Sequence, residues 1–181
     1  EPVAHNVQNT VVKQVSSPKK SAEQIGGEVA ECLVKIEKSK NKFIKERKVK
    51  TDLSLGGLEL GMTVDQMHKL MGKELSKTTR DGMTLYEYPN INIGSHGNII
   101  TSLVSENEMV KTNRGVKQGD NLSVVQKYYG TDAMETEYED MILYEYSSVD
   151  LDGRPGILRF AVNRETNKVD YISVRLPEFT R

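Results

Sequence analysis

The chain has no tryptophan, one cysteine and five prolines in 181 residues. Cys32 has no partner within the chain, so no internal disulfide can form, and the fold must rest on core burial and hydrogen bonding. Compartment stays open on this count, because an exported protein can do without disulfides. No stretch reaches the ~20 apolar residues that a spanning helix needs, and no leader of signal-peptide form is present. The first residue is Glu1 rather than methionine, which fits either a processed export or a trimmed chain. Charge of one sign is also lacking: 25 Lys and Arg face 26 Asp and Glu, a net charge of −1. That balance excludes an overall pull toward nucleic acid, and any electrostatic partner must meet a local patch.

The residues of common chemistries are equally sparse. His5, His68 and His96 fall on an arm, a helix and a turn, and none has the spacing of a metal site, so neither metal nor cofactor is expected. Cys32 sits on an apolar stripe, where a thiol is inert. No Lys-Ser/Thr follows the glycines, so they form no phosphate loop. Asp150, Asp152 and Gly153 resemble part of a calcium loop but lack its further acidic ligands. Glu87 and Glu145 occupy matching positions, and duplication alone accounts for the match. A chain of this composition is expected not to be an enzyme.

What is present is an internal echo. Gly57, Gly61, Lys69 and Gly72 recur at a constant offset of 58 as Gly115, Gly119, Lys127 and Gly130, and Leu85-Tyr86-Glu87-Tyr88 recurs as Leu143-Tyr144-Glu145-Tyr146. A periodic echo predicts repeated supersecondary units. In the first unit, Gly61 breaks the chain and Thr63 is placed as N-cap. Val64, Met67, Leu70 and Met71 then form an apolar face, and Gly72 stops the helix. Asn121 takes the cap position in the second, with Leu122, Val125, Tyr128 and Tyr129 on the face and Gly130 as the stop. Strands are predicted over 83–88, 91–93 and 99–104, then over 141–146, 157–162 and 169–176.

The chain divides on this reading into a flexible arm over 1–20, an amphipathic helix over 21–50, and repeats over 51–112 and 113–181. Ile25, Val29, Cys32, Leu33, Ile36, Phe43 and Ile44 form the stripe of the long helix. Its other face is basic, with Lys35, Lys38, Lys42 and Lys45 among its cations. That face is either a solvated surface or a patch for anionic headgroups or cell-wall polymer. The fold class expected is α+β: two tandem repeats of a short helix plus an antiparallel meander, preceded by the long helix.

Gly61-Met62-Thr63 with Val64, Met67, Leu70 and Gly72 resembles the helix signature of SmpA/OmlA (BamE)-like envelope lipoproteins. The tandem arrangement is similar to β-lactamase inhibitory protein. That resemblance implies a sheet with short helices on one face and the other face open. It implies an exported envelope protein, lipid-anchored through a segment outside this chain in the lipoprotein case. The function expected is a non-catalytic module that binds another protein through a sheet face. A small-ligand or envelope-polymer sensor with a groove between the repeats is the alternative. Tyr86, Tyr88, Tyr144 and Tyr146 are the candidate recognition residues in either case. They share a face that is either covered or a wet aromatic surface. Oligomeric state is left open.

Overall fold

Two glycine-stopped helices set the frame. The computed structural model describes residues 47–179, and helix α1 occupies Val64–Met71. Thr63 Oγ1 accepts from the Gln66 amide at 3.1 Å, and Gln66 Oε1 accepts from the Thr63 amide at 3.0 Å. This reciprocal pair satisfies two N–H groups that the first turn leaves free. Gly72 ends the helix at φ 72°, a left-handed backbone that only glycine adopts without strain. Helix α2 occupies Leu122–Tyr129. Asn121 stands at its N-cap but makes no side-chain cap hydrogen bond there, contrary to the sequence expectation. The start of α2 is held instead by the Leu122 amide donating to the Asn167 carbonyl at 3.0 Å, as Val64 donates to Asn98 at the start of α1. Each helix is thus pinned to the tip of a hairpin, the support that helices of two turns require.

A short ribbon of β1 (Ser54–Leu55) and β2 (Leu58–Glu59) precedes α1. The other described strands form one antiparallel sheet. Its first four strands are β3 (Ser76–Arg80), β4 (Met83–Glu87), β5 (Asn92–His96) and β6 (Ile99–Ser105). After α2 come β7 (Met134–Glu137), β8 (Met141–Val149), β9 (Pro155–Asn163) and β10 (Val169–Arg175). The spatial order is β3-β4-β5-β6-β10-β9-β8-β7, so the two last-formed hairpin strands, β6 and β10, join in the middle with Leu103 opposite Val174. All described residues fall in one unit, 43–181.

The α+β expectation is corrected here. The described protein is mostly sheet, with two eight-residue helices, and eight of its strands form a single antiparallel layer. Each meander has four strands, not three. The extra strands β3 and β7 escaped the sequence because every residue in them is exposed, which erases the apolar alternation that marks a half-buried strand. The long amphipathic helix is absent from the described residues: 47–50 are not helical, and the rest of its predicted span lies outside them.

One face of the sheet is the core. Tyr86, Ile93, Leu103, Val174, Leu158 and Tyr146 stand in register across six strands. The helices lie on this side, with His68 of α1 5.5 Å from the Tyr86 ring and Tyr129 of α2 5.2 Å from Phe160. Leu53, Leu55, Leu58, Leu60 and Met62 fill the same layer, all essentially without solvent contact. Each such side chain contributes roughly 1.5–3 kcal/mol, so this layer carries most of the stability of the two short helices.

Candidate functional site

The four candidate tyrosines lie on the covered face. Tyr86, Tyr88 and Tyr144 are buried, and Tyr146 is half-buried. Strand alternation put them together on one face, and the helices then cover that face. The Tyr88 hydroxyl donates to the Gly72 carbonyl at 2.6 Å and the Tyr146 hydroxyl to the Gly130 carbonyl at 2.7 Å. Burial pushes the Tyr88 phenol up to about 12, with Glu74 and Tyr86 adding to the shift. Tyr144 and Tyr146 are raised for the same first reason. Tyr88 and Tyr146 therefore brace the two helix ends. Lys35, Lys38, Lys42 and Lys45, with His5 and Cys32, lie outside the described residues.

The remaining candidates separate. His68 pairs with Glu74 at 2.9 Å, whereas His96 stacks 5.1 Å from Phe179. Glu87 accepts from Ser76 and Glu145 from Arg159, so the two carboxylates face different partners. Asp150 is buried and accepts from the Asp152 and Arg154 amides at 2.9 and 2.7 Å and from the Arg154 guanidinium at 3.0 Å. A buried carboxylate held by three donors caps its own loop and has no need of a cation. Among the described residues no group of His, Cys, Asp and Glu is placed to hold a metal.

The opposite face of the sheet takes neither helix. Strand register sets Glu87, Asn92, Val104, Ser173, Arg159, Glu145 and Met134 in one row across it. Leu85, Gly94, Ser102, Arg175, Ile157 and Ser147 form the next. Across β8, β9 and β10 a charged group stands out. Glu145 Oε2 accepts from Arg159 Nη2 at 3.2 Å and Nε at 3.3 Å, and Arg175 Nη2 approaches the same oxygen at 3.6 Å. The Glu145 side chain is 9% exposed, Arg159 22% and Arg175 32%. Two guanidiniums share one carboxylate, which leaves the group one positive charge in excess. Arg175 Nε is buried without an acceptor among the described residues.

Small and large side chains mix around this group: Gly94, Ser102, Ser173 and Ser147 stand near the arginines in register, while Ile157 is directly opposite Arg175 and Leu143 precedes Glu145 on the same face. A β-carbon at Gly94 would stand 2.1 Å from Ser102 Oγ. The result is a sheet face with a polar patch and exposed apolar points at Leu85 and Val149. Arg159 and Arg175 carry no local signal in the sequence, since each lies singly within an otherwise mostly apolar strand. Glu145 was noted, but its partners lie 14 and 30 residues away and only the β8-β9-β10 register brings them to it. A second surface feature is an open depression of about 290 Å³ between the β4–β5 turn and the end of β6, lined by Tyr88, Asn90, Asn92, Ser105 and Asn107 among others. Of the four candidate tyrosines, Tyr88 lines this depression.

No family model matches the chain, and no curated protein matches it. Solved structures do match, among them two bacterial ones. One is an extracellular protein containing an SCP domain from Bacillus anthracis str. Ames, 10% identical over 65% of this chain and 44% of that one, with a TM-score of 0.47. The other is a cysteine-rich secretory protein from Staphylococcus aureus subsp. aureus Mu50, 11% identical over 67% of this chain and 46% of that one, with a TM-score of 0.45. This chain spans less than half the length of each. The resemblance to SmpA/OmlA (BamE)-like lipoproteins and β-lactamase inhibitory protein is corrected: no family model matches the chain, and the described protein is mostly one eight-stranded sheet with two short helices. A helix signature made of caps and stops records only where a short helix starts and ends, which many unrelated folds share.

Proposed function

We propose that this chain is a non-catalytic binding module of an exported protein, and that it holds another protein on the helix-free face of its sheet. One observation carries the reading: the Arg159–Glu145–Arg175 group opens on that face across β8, β9 and β10, its carboxylate nearly buried and its guanidiniums partly exposed. A pair needed only for stability balances its charges, whereas this group keeps a surplus guanidinium. Arginines of this kind, partly desolvated on a sheet face, are common anchors in protein interfaces. Export is a further part of the proposal, supported by the printed titles of the two matching structures and by nothing in the geometry.

The test is affinity capture from an extracytoplasmic fraction of the source cells. Leu85→Arg and Ser147→Arg place charge on the helix-free face, and Ser123→Arg places it on exposed α2. The same captured protein is expected with wild type and Ser123→Arg and is expected to be lost with the other two. Equal capture by all four chains overturns the face assignment, and recovery of the native protein from the cytoplasm alone overturns the export assignment.

A further inference from the structure

The sheet ends in two strands, β3 and β7, that have no partner on their outer sides among the described residues. Every residue of both is exposed. The three most exposed large apolar side chains among the described residues lie at these edges. Leu75, 74% exposed, directly precedes β3, while Met134 at 62% begins β7 and Tyr138 at 52% follows it. A free strand edge with apolar side chains is a template for adding a further strand. The two edges differ in charge. Strand β3 carries Lys77 and Arg80, with Glu74 before it and Asp81 after it, whereas Asp132, Glu135, Glu137, Glu139 and Asp140 follow one another along the β7 edge with no base among them.

We propose that β7 of one copy pairs with β3 of a second copy, so that the sheet continues head to tail between molecules. Chain direction allows it. Neighbouring strands are antiparallel throughout the eight, so β3 and β7 run in opposite directions, and a second copy in the same orientation sets its β3 antiparallel to β7. Charge selects it. Lys77 stands opposite Tyr86 and Glu135 opposite Tyr144, so both lie on the core side of the sheet, where a junction between copies brings them onto the same face. Twofold pairing of β3 with β3, or of β7 with β7, sets like charges against each other and is destabilised. The contact is heterologous and leaves the helix-free face accessible in the assembled chains.

Sedimentation velocity of the full 181-residue chain from low to high micromolar concentration tests the proposal. Mass is expected to grow with concentration at low salt and to fall back on added salt. Lys77→Glu/Arg80→Glu makes both edges acidic, and Glu135→Lys/Glu137→Lys removes the acidic strand; each protein alone is expected to associate about tenfold more weakly or less. An equimolar mixture restores opposite charges at the junctions and is expected to regain association, which also shows that both variants are folded. A wild type that stays monomeric at every concentration and salt overturns the proposal. So do variants that associate as wild type does, or a mixture of folded variants that does not recover.

Discussion

Tyr88 donates its hydroxyl proton to the Gly72 carbonyl at 2.6 Å, closing the C-terminal end of α1 with a side chain from the strand beneath it. Tyr146 makes the like contact to Gly130 at 2.7 Å at the end of α2. Helices of eight residues leave four carbonyls free at their C-terminal ends, and these two tyrosines supply donors from the sheet. The pairing ties the helix stop to the core.

Replacing either tyrosine with phenylalanine keeps the ring and removes the donor. Tyr88→Phe is expected to cost about 1 kcal/mol, and Tyr146→Phe somewhat less because its hydroxyl is better solvated. The two sites lie under different helices, so the double variant is expected to show the sum within about 0.5 kcal/mol. Urea denaturation of the three variants measures both statements.

Alkaline pH acts on the same residue. Burial raises the folded Tyr88 pKa to about 12, above an unfolded value of about 10. A raised folded pKa means that the unfolded state releases its proton first. The stabilisation is therefore complete below about pH 10 and is lost as pH climbs from about 10 toward about 12. Tyr129, Tyr144 and Tyr146 shift in the same direction, with burial as the largest cause. The denaturation midpoint is expected to drop over that window in wild type and to drop less in Tyr88→Phe. An unchanged slope in the variant counts against Tyr88 as the linked group.

The two helix starts respond differently to the same change. Thr63→Ala removes a cap acceptor that holds the Gln66 amide and is expected to cost about 1 kcal/mol. Asn121→Ala is expected to cost a few tenths of that, because the Asn121 side chain makes no cap bond and the Asn167 carbonyl already holds the Leu122 amide. Thermal melts of the two variants compare them directly.

At the helix-free face the shared carboxylate matters more than either cation. Glu145→Gln leaves two guanidiniums side by side without their counter-charge and is expected to destabilise by about 1–3 kcal/mol. Arg175→Gln, which removes a single contact at 3.6 Å and leaves the Arg159 pair intact, is expected to cost under about 1 kcal/mol. If the group serves recognition, Arg175→Gln lowers partner capture while leaving the melting temperature close to wild type. Equal destabilisation by both variants contradicts this ordering.

Local structure was legible wherever a rule acts on neighbours in sequence. Thr63, Gly72 and Gly130 bound their helices as cap and stop positions, and the alternation along Met141–Val149 separated Tyr144 and Tyr146 from Leu143 and Glu145. Strands with one buried side were visible for the same reason, while β3 and β7 were not, since exposure on all sides leaves no alternation to read. The echo at offset 58 located like helix ends but did not disclose that β6 and β10 pair.

By itself the sequence determined where backbone must break, cap and turn, because those demands fall on single residues such as Gly72 and on pairs three apart such as Thr63 and Gln66. It also determined which side chains share a face within each strand, through the two-residue period. Which face is covered was decided only when α1 and α2 packed on the tyrosine side and buried it. The joining of eight strands into one sheet, the meeting of Glu145 with Arg159 and Arg175, and the opposite charge of the two free edges depend on register between strands far apart in the chain. No local rule carries that register, because it is chosen by the whole core at once.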